Sequence, residues 1–128
     1  MRIPSSESLG LGAGRIVAVP PDREPPVAVI RRGIVFILAD WSAPAQSALR
    51  AVAAACTADD AFASITLYVA DSDAESTHHF LESIGCAPAG RGESFWISDG
   101  VIVARMPHVD PADHETLVAM NRRLSAPK

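Results

Sequence analysis

Two continuous apolar runs predict strands that lie in the middle of a sheet. The first is residues 34–39 (IVFILA) and the second is residues 65–70 (ITLYVA). A strand that is covered by helices on both faces is apolar at nearly every position rather than at alternate positions. Two shorter β-rich runs, residues 15–19 and 27–30, precede them. The pattern therefore predicts two buried strands and two short ones.

A helix is predicted after each of the two buried strands. Residues 45–56 are rich in alanine, with larger apolar residues at helical spacing. Ser42 and Pro44 suit the N-cap and the first turn of this helix. A short amphipathic helix around residues 79–84 is closed by Gly85, since glycine is the usual residue after a helix.

The last third of the chain predicts a hairpin and a terminal helix. The Asp-Gly pair at 99–100, between residues 95–97 and 101–104, is a strong signal for a two-residue hairpin turn. Residues 111–124 predict a helix with Asp110 as its N-cap. The resulting order, β-α-β-α-β-β-α, predicts an α/β fold in which a mixed β-sheet is flanked by helices.

Length and charge bound the class of protein. The chain has 128 residues and a net charge of −4, from 11 basic and 15 acidic residues. A single domain of roughly 100–150 residues buries enough surface to fold without disulfides or a structural metal. Nucleic acids and anionic membranes require clustered positive charge, so neither partner is expected. With no apolar run near the ~18 residues of a membrane span and no signal-peptide pattern, the sequence predicts a cytoplasmic protein.

Residues 1–26 are predicted to form a flexible or loosely attached segment, and residues 27–128 the domain. The first 14 residues are small and polar, with little apolar surface to offset the entropy lost on ordering. The glycines at 10, 12 and 14 resemble part of a dinucleotide fingerprint, but no predicted strand precedes them and no helix follows. No cofactor is therefore predicted.

The order of the elements and four motifs together resemble the thioredoxin superfamily. The motifs, in chain order, are DWSAP at 40–44, LYVAD at 67–71 with Asp73, IGCAP at 84–88 and FWISDG at 95–100. The resemblance covers about residues 27–124 and implies a three-layer α/β sandwich. It also implies that the surface around Trp41, at the end of the central strand, is where peptide partners bind.

The sequence departs from the family at the two positions that carry its chemistry. Ser42 and Ala45 stand where thioredoxins have the two cysteines of Trp-Cys-x-Pro-Cys. Dithiol exchange needs one thiolate to attack and a second thiol to resolve the mixed disulfide. A serine hydroxyl needs a base to become a nucleophile, and no histidine or acid lies at a suggestive spacing. Disulfide oxidoreductase chemistry through this motif is therefore excluded, and Ser42 is interpreted as a helix cap.

The family places a cis-proline shortly before the hairpin, and Pro88 is the candidate for that position. Whether Pro88 is cis is left open, because residues 90–94 lengthen the connection as an insertion would. At that position, Cys86 would lie beside the positive end of the Ser42 helix, where a thiolate is favoured. The other interpretation of Cys86 is a small buried residue that packs a turn. Cys56 is predicted to lie in the core, and a cytoplasmic setting disfavours a bridge between Cys56 and Cys86.

The histidines and acids do not predict a metal site. His78 and His79 are adjacent, so on a helix their side chains point about 100° apart. The acidic stretch at 71–75 resembles the start of a calcium loop, but Ser76 stands where such a loop requires glycine. This stretch is interpreted as a solvated turn, and no metal is predicted.

The preferred hypothesis is a redox-inactive protein that acts by binding a protein partner, as a chaperone-like, assembly or regulatory adaptor. The predicted binding surface comprises Trp41, Ser42, Ala43, Pro44, Ala87 and Pro88. An exposed tryptophan beside small apolar residues is typical of protein-binding surfaces. The sequence alone is equally compatible with a Trp41 that packs into its own domain, whereas Trp96 is predicted to be core.

Two alternatives remain beside this hypothesis. One is a single-thiol redox protein or sensor in which Cys86 forms the mixed disulfide. The other is a structural subunit of a homo-oligomer.

Overall fold

The computed structural model of the protein describes residues 3–87 and 90–125. Five strands within these residues form one sheet: β1 (Ile16–Ala18), β2 (Arg32–Leu38), β3 (Thr66–Asp71), β4 (Ser94–Ser98) and β5 (Val101–Met106). The strand order is β1-β3-β2-β4-β5. β3 is parallel to both β1 and β2, whereas β4 is antiparallel to β2 and to β5. The sheet is therefore mixed, as predicted, and β2 lies at its centre.

Three helices cover the two faces of this sheet: α1 (Ala43–Ala55), α2 (Glu75–Ser83) and α3 (His114–Ser125). α1 and α3 pack against each other on one face, and α2 lies on the other. A 3-10 turn at Pro111–Asp113, capped by Asp110, leads into α3. The predicted three-layer α/β sandwich is confirmed. None of the helices in the described residues is long and apolar enough to cross a membrane.

The alternation of side chains along β2 explains why this strand is apolar throughout. Ile34, Phe36 and Leu38 pack in the core beneath α1 and α3, whereas Val35 and Ile37 pack in a second core beneath α2. Successive side chains of a strand point to opposite faces, so a strand between two helical layers has no solvated side.

The run at residues 27–30 does not form the short strand that its composition predicts. Val27–Val29 is instead a single 3-10 turn after Pro25 and Pro26. Two consecutive prolines offer no N–H groups to a ladder, and the Val27 N–H donates to the Pro25 carbonyl at 2.9 Å. The described connection from β1 to β2 therefore contains no α-helix.

The described part of the N-terminal segment, which is predicted to be flexible or loosely attached, contacts the domain at several points. Its β1 pairs with β3 along one edge of the sheet, and Leu11 is buried in the larger core. The Arg15 guanidinium donates hydrogen bonds to the carbonyls of Phe62 (2.7 Å) and Ile65 (3.0 and 3.1 Å). A few long-range contacts thus order a segment whose composition is poor in apolar residues.

Candidate functional site

The predicted binding surface lies at the carboxyl end of β2, where the chain leaves the sheet and enters α1. Ser42 is the N-cap of α1, with its Oγ accepting a hydrogen bond from the Ala45 N–H at 3.3 Å. The same hydroxyl donates to the Gly90 carbonyl at 3.0 Å. Ser42 is buried and Ala45 is completely buried. The prediction that Ser42 is a helix cap is confirmed, and its hydroxyl hydrogen points to a carbonyl rather than to a base.

Trp41 is the most exposed aromatic residue among those the structure describes. Its side chain is 68% exposed, yet its Nε1–H donates to Asp73 Oδ2 at 3.1 Å. The ring also lies against Gly90, where a methyl group in place of hydrogen would approach Trp41 Cη2 to 3.2 Å. The indole is therefore held on two sides and presents its remaining surface to solvent.

Asp73 is itself positioned by the turn that follows β3. Its backbone N–H donates to Asp71 Oδ1 at 2.9 Å, which fixes the loop facing Trp41. The sequence pattern indicates a solvated acidic turn for Asp73 and does not predict this role. The signal that could have found it is topological, because β2 and β3 are parallel neighbours whose carboxyl ends meet at one edge of the sheet.

The loop before β4 forms the other wall of the surface. Gly92 has φ +80°, and a methyl group there would lie 2.6 Å from Ala48 Cβ on α1. The adjacent Glu93 is fully buried, with its Oε1 accepting from the Arg91 N–H at 3.0 Å and its carbonyl accepting from the Ile37 N–H at 2.9 Å. The loop can lie this close to α1 only with glycine at position 92. The hydrogen bond from the Ile37 N–H to the Glu93 carbonyl connects the loop to β2.

The six predicted surface residues do not all come together in the described structure. Ala43 and Pro44 are exposed on the first turn of α1, next to Trp41. Ala87 is exposed but lines shallow depressions with Cys86 on the α2 side of the molecule. Pro88, including the question of its cis bond, lies outside the described residues. Gly90 takes the position beside Trp41 that we expected for the preceding residues of this loop.

Cys86 lies at the carboxyl end of α2. Its N–H donates to the Leu81 carbonyl at 2.8 Å, and the Gly85 N–H donates to the Glu82 carbonyl at 3.1 Å. With Gly85 at φ +70°, these bonds form a Schellman motif. Burial and the nearby Glu93 carboxylate raise the pKa of the Cys86 thiol, while Arg105 opposes them. The positive helix end expected beside this thiol is thus replaced by a helix carboxyl end, which disfavours the thiolate.

Cys56 is buried at the end of α1, which confirms its predicted place in the core. Burial raises the pKa of its thiol to about 11. Both cysteines of the chain are free, so the structure contains no dithiol pair and no bridge between Cys56 and Cys86. Trp96 is likewise fully buried, as predicted.

The histidines next to the acidic turn are engaged locally. His78 Nε2 lies 2.7 Å from the Ser72 carbonyl, and His79 Nε2 lies 3.9 Å from the Glu75 carboxylate within α2. Across residues 3–87 and 90–125, no three His, Cys, Asp or Glu side chains converge so that they could hold a metal ion.

Comparison with known proteins finds similarity in structure but not in sequence. No protein-family model and no curated protein sequence matches the chain. Thioredoxin (Mala s 13) of Malassezia sympodialis superposes with a TM-score of 0.56 and 16% identity, covering 75% of this chain and 76% of that one. Desulfothioredoxin of Desulfovibrio vulgaris Hildenborough, in its reduced form, gives a TM-score of 0.57 and 14% identity over 76% and 94% of the two chains.

A third similar chain comes from the thiol-resolving system of the yeast mitochondrial 1-Cys peroxiredoxin, which involves glutathione and thioredoxin. Its TM-score is 0.55 at 11% identity, with 73% of this chain and 81% of that chain covered. At such identities the likeness concerns the path of the backbone.

Proposed function

From the thioredoxin-like fold of this chain, we propose a redox-inactive protein that binds a protein partner through the N-terminal end of α1. The chain would act as a chaperone-like, assembly or regulatory adaptor. The observation that carries this proposal is Trp41, whose exposed ring is held by Asp73 and Gly90 where dithiol proteins of this fold present their cysteines.

A fixed, exposed tryptophan is well suited to binding. Tryptophan is among the residues that contribute most to protein interfaces, because it buries a large area with few rotatable bonds. The bond from Trp41 to Asp73 restricts the ring before a partner arrives, so less side-chain entropy is lost on association. The exposed Ala43 and Pro44 extend the apolar area beside the ring. We call this set, Trp41 with Ala43 and Pro44, the Trp41 surface.

The single-thiol alternative receives less support. A reactive cysteine needs a low pKa and an electropositive setting. Burial and Glu93 raise the pKa of Cys86, and its thiol lies at the carboxyl end of a helix. No observation supports Cys86 as a nucleophile, whereas its backbone N–H contributes to the motif that closes α2.

The test compares partner capture by the native chain, Trp41→Ala and a matched control. Val101→Ala removes another exposed apolar side chain, 60% exposed on β5, and leaves the Trp41 surface intact. We expect proteins captured by the native chain to be lost at least tenfold with Trp41→Ala and retained with Val101→Ala, as measured by quantitative mass spectrometry. Asp73→Ala, which frees the indole without removing it, should weaken capture by a smaller factor.

Two outcomes would contradict the proposal. Equal capture by the native chain and Trp41→Ala would remove the Trp41 surface as the binding site. Loss of capture with Cys86→Ser but not with Trp41→Ala would favour the single-thiol alternative. If a second copy of the chain occupies the surface, the melting temperature will rise with protein concentration, and Trp41→Ala will abolish that dependence.

A further inference from the structure

An open cleft of about 970 Å³ lies at the pole of the molecule opposite to the Trp41 surface. It sits where β2 and β3 begin, where β4 ends and where α3 ends. The polar residues of its described lining include Arg31, Arg32, Thr66, Tyr68, Ser98 and Arg123. A cleft of this size accommodates a small organic molecule.

The cleft is positively charged although the whole chain is negative. Arg31, Arg32 and Arg123 contribute three of the chain's 11 basic residues, against a single carboxylate, Asp99, in the described lining. A chain with a net charge of −4 has no general affinity for anions. The three arginines therefore make this concave site positive within a negatively charged chain. The fold brings residues 31–32 and residue 123 together to form it.

The backbone and one side-chain contact hold these arginines at the rim. Arg32 Nη1 donates to Ser64 Oγ at 3.2 Å, which directs its guanidinium across the start of β3. The Arg31 carbonyl accepts from the Asp99 N–H at 2.8 Å, which joins the start of β2 to the hairpin turn. Arg123 occupies the last turn of α3.

The donors of this cleft are available to a ligand. Among residues 3–87 and 90–125, neither Arg31 nor Arg123 forms a side-chain hydrogen bond or an ion pair with another residue. The hydroxyl groups of Thr66, Tyr68 and Ser98 add further donors along the same walls. Guanidinium groups bind phosphate and carboxylate oxygens with paired hydrogen bonds, which makes arginine the usual residue for such ligands.

We propose that this cleft binds a small oxyanion that carries two or more phosphate or carboxylate groups, held by Arg31, Arg32 and Arg123. A ligand with two or more negative charges matches a site that contains three arginines and one carboxylate, that of Asp99. The site is separate from the Trp41 surface: β2 spans 7 residues between the two poles, a distance of about 20 Å. The proposal therefore goes beyond the binding of a protein partner and does not depend on it.

The test is calorimetric titration of the native chain with inorganic pyrophosphate and, separately, with citrate at low ionic strength, where surface charge is least screened. We expect saturable binding of at least one probe with a stoichiometry of one. Tighter binding of pyrophosphate would identify a phosphate ligand, and tighter binding of citrate a carboxylate ligand. The double variant Arg31→Ala/Arg123→Ala should weaken binding at least about tenfold, since each charged hydrogen bond contributes about that factor.

Arg122→Ala is the matched control. Arg122 is exposed in the same turn of α3 and lies outside the described lining of the cleft, so Arg122→Ala changes the charge by as much as the single variant Arg123→Ala. We expect this variant to bind within about twofold of the native chain, and Arg123→Lys to lie between the native chain and Arg123→Ala.

Absence of saturable binding for both probes would overturn the proposal. So would an equal loss with Arg122→Ala and Arg123→Ala, because that result would indicate nonspecific attraction to surface charge. The melting temperatures of the variants, measured without ligand, verify that each is folded. None of these results bears on capture through Trp41, so the two proposals fail separately.

Discussion

At the scale of single residues, Ser42 and Ala45 account for the lack of a dithiol pair at the start of α1. Both positions were recognised from the sequence, because a missing thiol is a local property that no packing can restore. The structure adds that the Ser42 hydroxyl is fully engaged, accepting from Ala45 and donating to Gly90. The residue is a helix cap that also anchors the neighbouring loop, and both roles are structural.

Cys56 and Cys86 show how far residue identity can mislead about reactivity. The sequence does not specify which helix end lies beside Cys86, and that helix end determines whether the thiolate is favoured. In the structure the nearest helix end is the carboxyl end of α2, and burial is the first cause that raises the pKa of the thiol. We therefore expect both thiols to be alkylated slowly at neutral pH.

The Cys56 thiol predicts a specific dependence of stability on pH. Its pKa is about 11 in the folded chain, compared with an ordinary value of 9.0. The unfolded chain therefore loses this proton first as the pH rises. The contribution to the free energy of unfolding is complete below about pH 9 and is lost as the pH approaches 11, amounting to about 2–3 kcal/mol.

Urea denaturation between pH 8 and about pH 11 measures this effect. We expect Cys56→Ala to lower stability at all pH values, since it removes a buried side chain, but to show a shallower decline above about pH 9. Parallel declines in the native chain and the variant would show that the thiol is not responsible.

At the scale of elements, most boundaries follow from local chemistry. The caps at Ser42 and Asp110, the glycine after α2 and the Asp-Gly hairpin turn are all at their predicted places. Each depends on contacts within a few residues, so the sequence specifies it directly. The exception is the turn at Val27–Val29, where apolar composition favours a strand but the preceding prolines prevent pairing.

The contact between β4 and α3 is a long-range feature that no local pattern encodes. Trp96 Nε1–H donates to Asn121 Oδ1 at 2.8 Å in the core, and Asn121 Nδ2 reaches Cys56 Sγ at 3.8 Å. One buried amide thus connects the sheet, α3 and the end of α1. The sequence predicts that Trp96 lies in the core but indicates no role for Asn121.

Asn121→Ala should therefore destabilise the protein by about 2–4 kcal/mol, because it leaves the buried Trp96 N–H without its partner and opens a cavity. Chemical denaturation followed by fluorescence measures the change. The neighbouring exposed Arg122→Ala should remain within about 0.5 kcal/mol of the native chain. Similar values for the two variants would show that this hydrogen bond does not stabilise the core.

At the scale of the whole molecule, the N-terminal segment completes the sheet. β1 forms an edge next to β3, and Arg15 binds two carbonyl groups more than 45 positions further along the chain. Low apolar content leaves this segment little burial of its own to offset the entropy lost on ordering. It does not indicate whether the remainder of the chain supplies a surface for it.

Arg15→Ala tests this attachment. We expect it to lower stability by about 1–3 kcal/mol, because the carbonyls of Phe62 and Ile65 lose a charged donor. Arg23→Ala, an exposed arginine in the same segment, is the control and should have little effect. Equal stability of the two variants, measured by thermal and urea denaturation, would support a loosely attached segment instead.

The α/β class, the order of the main elements, the helix caps, the hairpin turn and the lack of a dithiol pair all follow from the amino-acid sequence. Each of these properties depends on neighbouring residues, on the periodicity of apolar side chains or on the identity of a single residue. Three features require the folded chain: Asp73 and Gly90 hold Trp41, Cys86 closes α2, and three arginines from the two ends of the domain share one cleft. Each of these depends on which distant segments the sheet brings together, and that pairing is set by the packing of the whole core.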